Sequence, residues 1–319
     1  MTHFQSTILI TGGSSGLGEA TAQILAKQLP DRNIIITGRS ARGVADKINQ
    51  ETGHDNVEFV ALDLSSEAGA RDFAERYLKA SYPPIEAFLM NAALQYVDGI
   101  HTTVDGVEES FAVNHVNHSL VFFLLKSQLR DDARIVIVGS TTHDPALKMI
   151  PLGAEWISAE DTAYPPTRKE SDARNEGFRR YGLSKAANTM FSIALADRAR
   201  AQGKKWTVMC LDPGIMPTNL YRNQGPWISA IFGWVLSTRL TKMVYKNATD
   251  TATVGTALAK MATDPEYAGE KVHGKYIEFT GREYNSSEAS YVKKNQDDLW
   301  DWTINKVAKG DEKAVFERL

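Results

Sequence analysis

Tyr181 and Lys185 stand four residues apart in the run Tyr-Gly-Leu-Ser-Lys. On a helix that spacing puts a phenol and an ammonium on one face. A phenol ionises near ~10, too high to exchange protons efficiently at neutral pH. Lowering it by two to three units takes ~3–4 kcal/mol, about what a cation ~4 Å away supplies in a partly buried site. Alone the pair carries little, because it recurs on many solvated helices. It gains force from Ser140, which ends the apolar run Ile-Val-Ile-Val-Gly-Ser and could hydrogen-bond a substrate oxygen. A serine after a strand is ordinarily just a turn residue or helix cap. Asn114 falls in a helical stretch, where a buried amide either satisfies backbone groups or holds a water.

A second chemistry is written near the start of the chain. Thr-Gly-Gly-Ser-Ser-Gly-Leu-Gly, from Thr11 to Gly18, follows an apolar strand and opens a helix. Gly12, Gly16 and Gly18 allow a tight turn that brings backbone amides, with Ser14, Ser15 and Leu17 between them, against a pyrophosphate. The helix then aims its positive end at the anion. A bare glycine cluster is a weak signal; strand before and helix after are what make it a dinucleotide loop. At the next strand end stand Thr37, Gly38, Arg39 and Ser40, and no carboxylate follows until Asp46. An NAD(H) site places an acid there for the ribose 2′-hydroxyl. Arg39 offers a planar guanidinium to a 2′-phosphate, with Ser40 beside it, so the expected cofactor is NADP(H).

These residues need strands to end together and helices to begin there. Apolar, β-branched runs at 7–11, 33–37, 57–61, 87–90, 134–138 and 206–211 lack polar alternation, as central strands covered on both faces do. A seventh is expected at 275–279. Helical patterns fill 16–28, 41–52, 66–80, 106–130 and 182–202. The alternation predicts an α/β, Rossmann-type doubly wound parallel sheet of about seven strands with helices on both faces. One domain over 1–319 is the economical reading. An insertion at 141–180, a lid at about 219–245 and a helical tail at about 286–319 complete it. Insertion and lid both follow strands at the carboxyl edge, so the substrate is expected there.

The ordered set of Thr11–Gly18, Asp63-Leu64, Asn91-Ala92-Ala93, Asn114, Ser140, Tyr181/Lys185 and Asp212-Pro213-Gly214 with Thr218 resembles the classical short-chain dehydrogenase/reductase family over about residues 6–280. The resemblance implies that Tyr181 donates the proton. Lys185 would bind the nicotinamide ribose and depress the tyrosine pKa, Ser140 would orient the carbonyl, and Asn114 would support a proton-relay water. It also implies that Asp63 with Leu64 contacts the adenine and that Asn91, Ala92 and Ala93 pack near the adenine ribose. Pro213, Gly214 and Thr218 would border the nicotinamide. His115 and His118 after Asn114, and His143 after Ser140, are similar to the retinol dehydrogenase and protochlorophyllide reductase branch, which secondary-metabolism ketoreductases share.

The activity so implied is an NADPH-dependent reduction of a hydrophobic ketone or aldehyde, or the reverse alcohol oxidation. The alternatives are a C=C or C=N reductase of the same fold and a non-catalytic NADP(H)-binding regulator. A net charge of −3, from 36 basic and 39 acidic residues, gives nucleic acid no footprint. Cys210 is the only cysteine, which excludes intrachain disulfides and fits a cytoplasmic setting. The N-terminus lacks a signal-peptide layout. His115, His118 and His143 tempt a metal reading, but zinc needs three or four converging ligands and none is expected here. The apolar patch within 226–240 is too short for the ~20 residues of a membrane span and reads as part of the lid. Pairing into a homodimer or tetramer through the helices after Gly106 and Gly182 is a further expectation.

Overall fold

The computed structural model describes residues 4–166, 172–216 and 249–319. Seven strands form one sheet among these residues: β1 Thr7–Ile10, β2 Asn33–Gly38, β3 Val57–Ala61, β4 Ile85–Met90, β5 Leu129–Val138, β6 Thr207–Asp212 and β7 Lys275–Glu278. Their spatial order is β3-β2-β1-β4-β5-β6-β7, and every neighbouring pair is parallel. The winding reverses between β1 and β4, which opens a crevice beyond their carboxyl ends, the place where such sheets take ligands.

Helices follow in chain order as α1 Gly16–Gln28, α2 Val44–Thr52, α3 Glu67–Lys79, α4 Glu109–Phe111, α5 Asn117–Leu125, α6 Ala159–Ala163, α7 Ala173–Ala201, α8 Thr251–Thr263, α9 Glu288–Tyr291, α10 Lys293–Val307 and α11 Glu312–Glu317. Each sheet face has its own apolar layer. Ile8, Ile34 and Leu89 pack with Leu25 of α1 and Leu258 of α8. Leu9, Ile35 and Phe88 pack with Phe73 of α3, Phe122 of α5, Phe191 of α7 and Trp300 of α10. This explains the unbroken apolar strands: alternate residues face opposite layers, and burying each such side chain contributes ~1.5–3 kcal/mol.

Three boundaries differ from the sequence expectation. The stretch read as one helix over 106–130 is α4, a π-helical segment Ala112–Val116, α5, and a 3-10 turn Lys126–Gln128. Leu129 already belongs to β5, where it pairs with Ile85, so the last residues of the supposed helix are strand. The helix that carries Tyr181 and Lys185, α7, begins at Ala173, inside the supposed insertion. Its charges read as solvated loop because the partner of Arg180 lies out of view: it pairs with buried Glu108 at 3.3 Å, while Arg179 pairs locally with Glu176 at 3.0 Å. Finally, α8 had no counterpart in the reading, although Asp250 caps it by accepting from the Thr253 amide at 2.8 Å. Among the described residues no helix is long and apolar enough to cross a membrane. The proposed lid at 219–245 and Thr218 lie outside the described residues.

Candidate active site

The glycine loop is built as the spacing requires. Gly12 takes a φ of +66° and Gly18 sits against the turn, where a Cβ would lie 2.5 Å from the Gly12 carbonyl oxygen. Ser15 precedes α1 in extended conformation, and its side chain caps no first-turn amide. The helix therefore presents uncapped N–H groups at a cavity lined by Gly12, Ser14, Ser15, Gly16 and Leu17. These features fit a pyrophosphate. Asn91 secures the loop, donating from Nδ2 to the Thr11 carbonyl at 2.8 Å. The Thr11 hydroxyl oxygen accepts from the Asn91 and Ala92 amides at 2.9 and 3.1 Å.

Arg39 and Ser40, exposed at the end of β2, line the same cavity. So does Arg42, which the sequence reading passed over because it lies beyond the strand end, in the turn before α2. Asp63, Leu64, Asn91, Ala92 and Ala93 line the same cavity as the loop and Ser140, Tyr181 and Lys185. Asp63 is also a turn-former, accepting at Oδ1 from the Ser65 amide at 2.9 Å and hydroxyl at 2.7 Å.

At the other end of the cavity lie Ser140 beyond β5, Tyr181 and Lys185 on α7, and Pro213 and Gly214 beyond β6. Tyr181 is 8% exposed and Lys185 2% exposed. The Lys185 ammonium donates to the Val138 carbonyl at 2.8 Å and lies 5.8 Å from the Tyr181 ring centre. Burial pushes its pKa down to about 8, which leaves the group mostly charged at neutral pH. Gly182 lets the excursion after Ser140 return against the helix: a Cβ there would lie 2.7 Å from the Thr142 carbonyl oxygen. Cys210 is buried in β6 and its thiol is pushed up to about 12 by that burial, so it is a packing group.

Asn114 is tied to its surroundings by its side chain. Its Nδ2 donates to the Leu94 carbonyl at 3.0 Å and to Ser184 Oγ at 2.9 Å, and Oδ1 accepts from the Leu94 amide at 2.8 Å. Both amide hydrogens are spent, and the residue is absent from the cavity wall. Its side chain is thus a strut between the loop after β4 and α7, the buried-amide arrangement that goes equally with the water-supporting role the resemblance implied.

The histidines beside it are struts as well. His115 Nε2 meets Thr303 Oγ1 at 3.0 Å, while His118 joins the Asn114 carbonyl at 3.2 Å to Thr11 Oγ1 at 2.7 Å. Burial pushes their pKa values down to about 3 and about 4. Below the unfolded value of ~6.5, the unfolded chain takes protons that the folded chain refuses. Folding stability should therefore fall as pH drops from about 6.5 toward 4, by ~1–2 kcal/mol per histidine between pH 7 and pH 5. Urea midpoints at these two pH values measure the loss. A His115→Phe variant with the same acid slope as the parent would overturn the assignment.

The cavity end near Tyr181 is completed by residues that no motif signalled. Met149 and Ile150 of the insertion and Phe178 of α7 line the cavity there, with Gln95, Thr141 and Arg174. Ile150 also packs with Ala154, Leu183 and Trp156. Their apolarity was visible in the sequence, but without helix or strand periodicity nothing indicated which would face a ligand.

The short chain dehydrogenase family profile matches residues 6–151. Human polyprenol dehydrogenase is 30% identical over 305 residues, covering 92% of this chain and 82% of that protein. The chain belongs to the short-chain dehydrogenase/reductase family. Mouse retinol dehydrogenase 12 is likewise 30% identical, over 92% of this chain and 83% of its own length. Among solved structures, a blue fluorescent protein from a metagenomic library, in complex with NADPH, superposes with a TM-score of 0.60 at 20% identity. The match covers 88% of this chain and 98% of that one. As a family member the chain is an oxidoreductase of the dehydrogenase/reductase type that uses a nicotinamide cofactor, and its sheet is the fold the sequence predicted.

Proposed function

We propose that this oxidoreductase is an NADP(H)-dependent carbonyl reductase or alcohol dehydrogenase for a hydrophobic small molecule. One observation carries the reading. A continuous cavity of about 960 Å³ holds the glycine loop, Arg39 and Ser40 at one end and Ser140, Tyr181 and Lys185 at the other. Arg39, Ser40 and Arg42 would take a 2′-phosphate, and the apolar Met149, Ile150 and Phe178 favour a hydrophobic body. The names of the two curated relatives, which denote dehydrogenases of polyprenol and retinol, agree with such a body.

When bound, the nicotinamide supplies or removes hydride at the substrate carbon. Tyr181 gives its phenolic proton to the carbonyl oxygen as charge builds there, and Ser140 donates a hydrogen bond to the same oxygen. The Lys185 ammonium, fixed by the Val138 carbonyl, stabilises the phenolate that remains. In the oxidative direction each proton moves the opposite way.

The test is cofactor oxidation with a panel of hydrophobic ketones and aldehydes, and cofactor reduction with the matching alcohols, using both NADP(H) and NAD(H). The products are then analysed for which bond was reduced. Turnover of carbonyl compounds to alcohols supports the reading. NADPH binding with no turnover in either direction, or reduction only at C=C or C=N, would reject it.

A further inference from the structure

Ser140 stands just past the end of β5, whose pairing with β6 stops at Val138 and Leu211. Its backbone is extended, with φ −176° and ψ 142°, and a 3-10 turn Thr141–His143 follows. The Ser140 hydroxyl oxygen accepts from the Thr142 amide at 3.3 Å and from the Thr142 hydroxyl at 2.9 Å. With its oxygen accepting from Thr142, its own hydrogen would be available to a substrate oxygen, and the turn would set where that hydrogen points.

The turn is held from far along the chain. His143 is 2% exposed and its ring lies 5.2 Å from that of Tyr276. Nδ1 lies 2.5 Å from the Ser140 carbonyl oxygen. A carbonyl only accepts, so the neutral ring carries its proton on Nδ1 and offers a lone pair at Nε2. That lone pair accepts from the Ser287 amide at 3.3 Å, and the Ser286 hydroxyl, which also meets Ser290 Oγ at 3.2 Å, lies 2.6 Å from it. Burial disfavours the charged ring and keeps this arrangement neutral. A second tie runs in parallel. Buried Asp212 accepts from the Gly214 amide at 3.1 Å and from the Tyr284 hydroxyl, and its carboxylate faces the Thr141 amide. Both flanks of the turn thus end on the segment that follows β7.

We propose that His143 is a positioning residue for Ser140, through which Ser286 and Ser287 fix the direction of the serine's hydrogen bond to substrate, with Tyr284 and Asp212 bracing the same turn. The inference rests on the carbonyl reading above, and it assigns no new contact with substrate. A displacement of the turn by ~1 Å would lower the rate by up to ~100-fold without touching the cofactor end of the cavity.

Four variants of the whole chain test it: His143→Leu, His143→Asn, Ser286→Ala and Tyr284→Phe. Expected for His143→Leu is a kcat ~10- to 100-fold lower, with NADPH Kd within about twofold. His143→Asn, whose amide still reaches the Ser140 carbonyl, should recover most of that loss. Ser286→Ala, which removes only the outer bond, should lower kcat ~3- to 10-fold with little change in Tm. Hydrogen exchange in a peptide spanning 139–143 should quicken in Ser286→Ala and in Tyr284→Phe. Unchanged exchange there would overturn the brace whatever the activity. A kcat loss matched by an equal loss of NADPH affinity would also overturn it, since that marks general damage. If the wild type turns over no carbonyl while exchange still quickens, the brace stands and the carbonyl reading falls.

Discussion

Replacing Tyr181 with phenylalanine should lower kcat by ~1000-fold while leaving NADPH affinity within about twofold. A positioned general acid contributes roughly 10²- to 10⁴-fold, and this substitution removes the transferable proton with almost no change in shape. The ring is 8% exposed on a helix of twenty-nine residues, so the exchange neither opens a cavity nor exposes an apolar surface. Lys185 keeps its bond to the Val138 carbonyl, and the Ser140 turn is held by His143 and Asp212, so the remaining groups stay in place. Steady-state rates beside a fluorescence titration of NADPH make the measurement. A variant retaining more than about a tenth of the activity would show that another group protonates the substrate. Parallel loss of NADPH affinity would show that the phenol binds cofactor more than it moves protons.

The parts of this site that could be read from the sequence are those whose partners are near in the chain. Tyr181 and Lys185 are legible because one helical turn joins them. The glycine loop is legible because strand, turn and helix follow without interruption. Ser140 needed one more step: in a parallel sheet, residues past the carboxyl ends of β4, β5 and β6 meet in one crevice. What escaped depends on contacts across long intervals. Nothing near Asn114 announces that Leu94 and Ser184 will consume its amide, nor does anything near His143 announce Ser286. The start of α7 was misplaced for a related reason. Arg180 looks like a solvated charge until Glu108, brought in by the loop before α4, is found beside it. The π-helical segment at Ala112–Val116 is hidden by the same apolarity that revealed the helix, since residues buried on every side give no period to follow.

Arg39→Ala should weaken NADPH ~10- to 100-fold and NADH by less than about threefold, which would collapse the preference between the two cofactors. The expectation follows from what differs between them, a 2′-phosphate in place of a hydroxyl. A charge-assisted bond to a guanidinium contributes ~1.5–3 kcal/mol, and each 1.4 kcal/mol is a factor of ten. Arg39 lines the cavity at the end of β2 beside Ser40, and no carboxylate follows in sequence before Asp46. A ribose hydroxyl therefore finds no acid there to favour NADH. Arg42 lines the same end, so the single variant should keep some preference and the Arg39→Ala/Arg42→Ala pair should lose nearly all of it. Arg39 is exposed, and its interaction with a phosphate is screened by salt. The wild-type ratio of NADPH to NADH affinity should accordingly shrink between 50 mM and 500 mM NaCl, and the double variant should show little of that dependence. Equal weakening of both cofactors by Arg39→Ala would instead place the arginine on the shared pyrophosphate or adenine, and the cofactor assignment would lose its basis.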